Sequence, residues 1–213
     1  VPALRAARAR MQTQSATPGA APSIGFVPTM GCLHEGHLEL VRQARRENEF
    51  VAVSIYVNPT QFAAHEDLDT YPSDVARDLD LLRAEGVDLV FAPRAGTSLF
   101  SGAHHTWVVP DSDGALDEGA SRPGFFRGVA TVVTKLLNMV QPTRAYFGQK
   151  DAQQAAVVQD LVTDLDIGCS WNLATVEPGD AAAAAAFDPT QSGLDIVIVP
   201  TVRESDGLAK SSR

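Results

Sequence analysis

Apolar and polar positions along the chain fall into two alternating patterns. Short, largely apolar runs read as strands: Ile24 to Pro28, the β-branched Phe50 to Val57 (FVAVSIYV), Val87 to Ala92 (VDLVFA), Arg144 to Gly148 and Asp195 to Pro200. A continuous apolar run has no solvent face, as expected of a strand covered on both sides in a parallel sheet. Between these runs lie segments of helical period. Leu38 to Asn48 carries Leu38, Leu40, Val41 and Ala44, and Asp74 to Glu85 places Val75, Leu79, Leu81 and Leu82 on one face before Gly86 stops it. Gly128 to Val140 and Asp151 to Leu165 read as two further helices. Strands alternating with helices predict βαβ units and hence an α/β fold with a parallel sheet.

Composition narrows the picture. The 213 residues are 45% hydrophobic and 20% charged, enough to bury a core. The formal net charge of −9 argues against a basic nucleic-acid surface, and no apolar run approaches membrane-spanning length. Cys32 and Cys169 lack CxxC spacing, so neither a disulfide framework nor a structural zinc site is expected, and a reducing compartment is the default. Two readings fit the arginine-rich start, Val1 to Arg10: the end of an amphipathic helix feeding the first strand, or a mitochondrial presequence. The first is the expectation. Ser15 to Ser23 reads as a loop.

The candidate chemistry sits just after predicted strands, where parallel sheets bind ligands. His34 and His37 are three apart with Gly36 between them, on a strand-to-helix turn. Both imidazoles then lie on one side of the first helical turn, beside free N–H groups that favour phosphate. A metal site is the rival reading, but no third ligand lies nearby in sequence. Gly148-Gln149-Lys150-Asp151 also opens a helix; Lys150 offers a point charge to phosphate, and Asp151 offers a helix cap or a ribose acceptor. Only three lysines occur, and two of them, Lys150 and Lys210, fall in such turns. Lys210-Ser211-Ser212-Arg213 gathers two cations and two hydroxyls, a plausible clamp for a polyphosphate. The amides of Asn58, Gln61 and Gln154 suit a carboxylate or hydroxyl without burying a charge. Residues 24–213 are therefore expected to form one nucleotide-binding domain, with 1–23 a helix remnant and loop. Residues 171–193, with six consecutive alanines, read as an insertion.

These pieces, in this order, resemble the pantothenate synthetase (pantoate–β-alanine ligase) family. The likeness runs through FVPTMGCLHEGHLELVRQA, VSIYVNPTQFAAHEDLDTYP, RPGFFRGVATVVTKLLNMVQP, AYFGQKDAQQ and VPTVRESDGLAKSSR. The spellings GCLHEGH, FFRGVATVVTKL and FGQKD are similar to fungal members. The resemblance implies the HxGH nucleotidylyltransferase fold, a Rossmann-like parallel sheet with helices on both faces, and a homodimer of cytoplasmic location. It implies an ATP-dependent, magnesium-requiring ligase that joins pantoate to β-alanine through a pantoyl-adenylate. On that basis Met30, Gly31, His34 and His37 meet ATP, with His34, His37 and Lys150 catalytic and His37 the family's proton donor. Gly148, Asp151, Val202, Lys210, Ser211, Ser212 and Arg213 complete the ATP set. Gln61, Gln154, Asn58 and Tyr71 hold pantoate and β-alanine. Asp78 is the candidate magnesium ligand, and Glu118 matches a further site position. Two readings compete: another HxGH-type nucleotidylyltransferase, or a nucleotide-binding piece without complete catalysis.

Departures from the family pattern are specific. Lys210 stands where the family has Met, and Ala152 replaces a larger residue. The 171–193 segment interrupts the connection to the last loop. The chain is expected to stop where a smaller C-terminal domain would begin, and the 213 residues alone are expected to have weak or no ligase activity.

Overall fold

The computed structural model describes residues 2–14, 22–62, 68, 70–93, 99–100, 104–111, 117–168 and 193–212. Five strands, β1 (Ile24–Thr29), β2 (Phe50–Ile55), β3 (Leu89–Phe91), β4 (Arg144–Gly148) and β5 (Asp195–Val199), form one sheet. Its order is β3-β2-β1-β4-β5, and every pairing is parallel. Strand order reverses at β1, so the ligand crevice of a doubly wound sheet falls between the carboxyl ends of β1 and β4.

Local chemistry deepens that crevice. All six residues of β1 pair with β2, from Ile24↔Phe50 to Thr29↔Ile55. On its other side β1 pairs with β4 only at Gly25↔Arg144 and Phe26↔Ala145. Pro28 has no N–H to donate, so β1 and β4 part while β4 continues beside β5 to Gly148↔Val199.

Both faces are covered, which explains the unbroken apolar runs. Side chains alternate across the pleat. Phe26 and Ala52 join a core with the helices α5 (Phe125–Val140) and α6 (Ala152–Asp164). Val27, Val51 and Val53 join another with Leu40, Val41 and Ala44 of α2 (Glu35–Glu47) and Leu82 of α3 (Val75–Ala84). α5 buries Phe126, Val129, Val133, Leu136 and Leu137 among others; cutting one such leucine to alanine costs about 2–5 kcal/mol. The start of the chain is α1 (Pro2–Thr13), whose Met11 is buried in the α5 core. A five-residue helix, α4 (Asp117–Ser121), precedes α5.

Three expectations need revision. α2 begins at Glu35 rather than Leu38, because His34 caps it. α5 begins at Phe125, after Gly124 in left-handed backbone (φ 83°). The face assigned to α3 holds at Leu82, which is buried, and at Leu81, which packs against the core, but Val75 is 41% exposed and the other fully buried residue is the carboxylate Asp78. The expected insertion at 171–193 lies outside the described residues, except Gly193.

Candidate functional site

A cavity of about 260 Å³ opens where β1 and β4 part. Its walls come from the ends of β1, β2, β4 and β5 and from the start of α5. Met30, His34, His37, Asn58, Gln61, Tyr71, Gly148, Lys150, Asp151, Gln154, Val202, Lys210, Ser211 and Ser212 all line it. Segments 180 residues apart in sequence thus meet at one site: the Ser212 hydroxyl donates to the Cys32 carbonyl at 3.0 Å. Gly31 and Asp78 are not on the wall. Arg213 and the Glu118 side chain lie outside the described residues.

The β1–α2 turn is tied by several hydrogen bonds of its own. Gly31 (φ 90°) and Cys32 (φ 50°) are both left-handed, which glycine tolerates and cysteine does so only at a cost. The Nδ1 of His34 accepts the Gly36 N–H (3.1 Å), and the Nδ1 of His37 accepts the His34 N–H (3.3 Å), a reciprocal capping box made by two imidazoles. Both Nδ1 atoms being acceptors, each ring carries its proton on Nε2. The ring centroids are 4.1 Å apart. Burial, the neighbouring His34 and the Lys150 ammonium push the His37 pKa down to about 3. Burial, then Lys150 and Lys210, lower that of His34. Near neutral pH the pair is therefore two uncharged Nε2–H donors side by side.

The amide corner is built differently from the expectation. Asn58 is 1% exposed, and its side chain is fully engaged. Its Nδ2 donates to Gln61 Oε1 (3.0 Å) and to the Gly128 carbonyl (3.2 Å), and its Oδ1 accepts from the Thr60 N–H (3.3 Å) and hydroxyl (2.9 Å). With four bonds filled it has no capacity left for a substrate, so Asn58 shapes the turn that presents Gln61. Gln61 Nε2 donates to Met30 Sδ (3.3 Å), tying the two turns together. Gly128 permits this packing, because a Cβ there would fall on the Thr60 carbonyl.

Asp78 is also corrected. Its two oxygens accept the Cys32 and Leu33 N–H groups, each at 2.8 Å, and it is fully buried. A fully buried carboxylate whose two oxygens face backbone amides behind the wall is not presented to a magnesium ion in the cavity. Asp151 makes no cap hydrogen bond to α6; its carboxylate faces Lys150 Nζ at 3.2 Å. Lys210 Nζ lies 3.0 Å from Glu204. It is delivered by a tight reversal in which Arg203 bridges Ala209 and the Lys210 N–H donates to the Val202 carbonyl (3.0 Å). The two cations are thus partly neutralised beside the cavity.

Some wall residues were not singled out from sequence. Arg122 donates to the Gln61 carbonyl (3.2 Å) and stacks on Phe125 (3.9 Å), and Phe62 meets Tyr71 edge-on at 5.9 Å. The arginine in the Arg122-Pro123-Gly124 turn, directly before an apolar helix, was the available signal.

The model of the family described as pantoate-beta-alanine ligase matches residues 3–178. A pantothenate synthetase of Chloroflexus aggregans is 53% identical over 190 residues, 89% of this chain and 59% of that protein. One of Gluconobacter oxydans is 53% identical over 192 residues, 90% of this chain and 60% of that protein. The chain thus spans about six tenths of the length of these curated relatives. A Thermus thermophilus pantothenate synthetase structure superposes with a TM-score of 0.77 at 46% identity, covering 98% of this chain and 64% of that one. A Francisella tularensis pantoate-beta-alanine ligase, solved with beta-gamma ATP and beta-alanine, has a TM-score of 0.77 at 34% identity, covering 98% of this chain and 69% of that one. These relatives are bacterial. The chain belongs to the pantoate–β-alanine ligase family.

Proposed function

We propose that this chain binds ATP and pantoate and forms pantoyl-adenylate, within a ligase that then joins the pantoyl group to β-alanine. The single observation that carries the proposal is the convergence of the paired imidazoles, Lys150, Lys210, Gln61 and Gln154 on one cavity at the β1–β4 split. The Francisella relative, holding beta-gamma ATP and beta-alanine, supports the same assignment.

In the first step a pantoate carboxylate oxygen attacks the α-phosphorus of ATP, and pyrophosphate leaves with the bonding pair. In the second, the β-alanine amine attacks the acyl carbon, loses a proton, and AMP leaves with the carboxylate oxygen. Both nucleophiles are substrates, so no protein nucleophile is needed. The protein's task is to position the reactants and offset charge developing on the phosphates. His34 and His37 donate Nε2–H bonds to phosphate oxygens. With its pKa near 3, His37 acts as a neutral hydrogen-bond donor rather than an imidazolium acid. Lys150, Lys210, Ser211, Ser212 and Arg213 hold the phosphates, Gly148 and Asp151 the ribose, and Val202 the adenine. Gln61 holds pantoate and β-alanine, while Gln154 and Tyr71 complete the pantoate side.

Among the described residues no group of three or more His, Cys, Asp or Glu side chains could hold a metal ion. Magnesium prefers phosphate oxygens and water, with few protein ligands. The residues therefore fit an ion carried in on the ATP phosphates rather than a resident one. No described helix is long and apolar enough to cross a membrane. We further propose that the protein is a cytoplasmic homodimer, that residues 24–213 are one nucleotide-binding domain with an insertion at 171–193, and that a smaller domain completes it. The motif spellings favour a fungal type, whereas the relatives named above are bacterial, and the proposal needs only the family.

Pantoate-dependent ATP–pyrophosphate exchange tests this function. Exchange that requires pantoate is expected. Exchange without pantoate would point to a different adenylyltransferase, and ATP binding without exchange to a nucleotide-binding piece.

A further inference from the structure

We propose that Asp78, outside the cavity, is the positioning residue that holds the HxGH turn in its phosphate-binding shape and couples it to the Ser212 loop. The inference rests on the nucleotide site proposed above.

A buried carboxylate needs partners, and Asp78, fully buried on α3, finds two backbone amides. They belong to Cys32, the second of the left-handed pair Gly31 and Cys32, and to Leu33, the residue after it. A non-glycine residue in that region costs about 1–3 kcal/mol and persists only where its surroundings dictate it. Asp78 supplies that constraint, since both of its oxygens are satisfied only when the successive N–H groups turn toward α3. Arg77 grips the following peptide, donating to the Leu33 carbonyl at 3.1 Å. Gly31 leaves room for the arrangement, because a Cβ there would lie 3.1 Å from Asp78 Oδ2.

The constraint reaches the site in two directions. Leu33 leads directly into His34, the cap of α2, so the Asp78 bonds set where the paired imidazoles begin. The Cys32 carbonyl accepts the Ser212 hydroxyl, so the peptide anchored by Asp78 also docks the second phosphate loop. Asp78 therefore acts through Cys32 on both halves of the clamp and touches no substrate. Without it the turn samples other shapes, and apparent affinity falls with the fraction that remains competent.

The test compares MgATP binding by calorimetry, thermal stability, and the KM values of exchange. In Asp78→Asn one oxygen becomes an NH2 group facing a backbone N–H, so a charged hydrogen bond is replaced by a donor–donor clash. ATP affinity is expected to fall roughly 10- to 100-fold, the scale of one charged hydrogen bond. The KM for ATP should rise at least fivefold more than that for pantoate, because the Gln61 corner is held chiefly by Asn58 and meets the HxGH turn only through the Met30 sulfur. A merely structural defect would move both. Arg77→Ala removes the milder tie and should weaken ATP by about three- to tenfold; it carries the test if Asp78→Asn does not fold. Asp80→Asn, on the exposed face of α3 and 77% exposed, should bind ATP like the parent protein. Parent-like ATP affinity in a folded Asp78→Asn, or in Arg77→Ala, overturns the inference, as does a matched rise in both KM values. Failure of the parent protein to bind ATP would instead reject the nucleotide site itself.

Discussion

Two strand-to-helix turns flank the same crevice and are built in opposite ways. The β1–α2 turn, Met30 to His37, contains two left-handed residues and is held by a buried carboxylate, an imidazole capping box and the Ser212 hydroxyl. The β4–α6 turn, Gly148 to Asp151, has no left-handed residue and no side-chain cap, and its Lys150 and Asp151 side chains are 41% and 56% exposed. The first turn is preorganised and presents uncharged donors at fixed positions. The second is a pair of charges on movable stems. A site for adenylyl transfer gains from both: fixed dipoles cost no reorganisation as charge develops, and a lysine follows the departing phosphates as they move.

That contrast orders the expected effects. His37→Ala removes a fixed donor and should lower the pantoate-dependent exchange rate by about 10²- to 10³-fold, as loss of one preorganised donor does; an effect below tenfold would break the contrast. Gly128→Ala drives a Cβ into the Thr60 carbonyl and should destabilise the protein by about 1–3 kcal/mol in urea titration, the usual cost of overpacking. It should also raise the KM for pantoate, since the displaced turn carries Gln61.

The paired imidazoles also predict a pH dependence. His37 titrates near 6.5 when unfolded and near 3 when folded. Between those values the unfolded chain binds the extra proton, so stability from this site is fully present above 6.5 and is lost as pH falls toward 3. The slope is about 1 kcal/mol per pH unit. Urea midpoints at pH 7, 6 and 5 should show that decline, and His37→Gln should flatten it. The smallest effect belongs to the other turn. Asp151→Ala should shift stability by less than about 0.5 kcal/mol, against the ~1 kcal/mol of a working cap, because its carboxylate makes no cap bond; calorimetric melting measures this.

Legibility from sequence followed the physics of each feature. The strands were readable because burial on both faces forces continuous apolar runs, and Phe50 to Ile55 is the plainest case. The apolar period of α2 starts only at Leu38, because Glu35, Gly36 and His37 carry none, and the first turn was legible from the paired histidines alone. The paired histidines were readable because a turn brings residues three apart together whatever the rest of the fold does. Asp78, Asn58 and Gly128 were misread or passed over for the opposite reason. Their roles depend on contacts 45, 70 and 68 positions away, to Leu33, Gly128 and Thr60, which no local pattern encodes. Asp78 sits where α3 shows a buried face, and a charge on that face was the unused clue.

The central claim is that pantoate becomes the adenylate, and the fate of its carboxylate oxygen tests that most directly. The protein is supplied with ¹⁸O-carboxylate pantoate, MgATP and β-alanine, and the AMP formed is weighed by mass spectrometry. Attack on the α-phosphorus followed by acyl transfer predicts one ¹⁸O atom in each AMP. Unlabelled AMP, or label in pyrophosphate, would contradict the account.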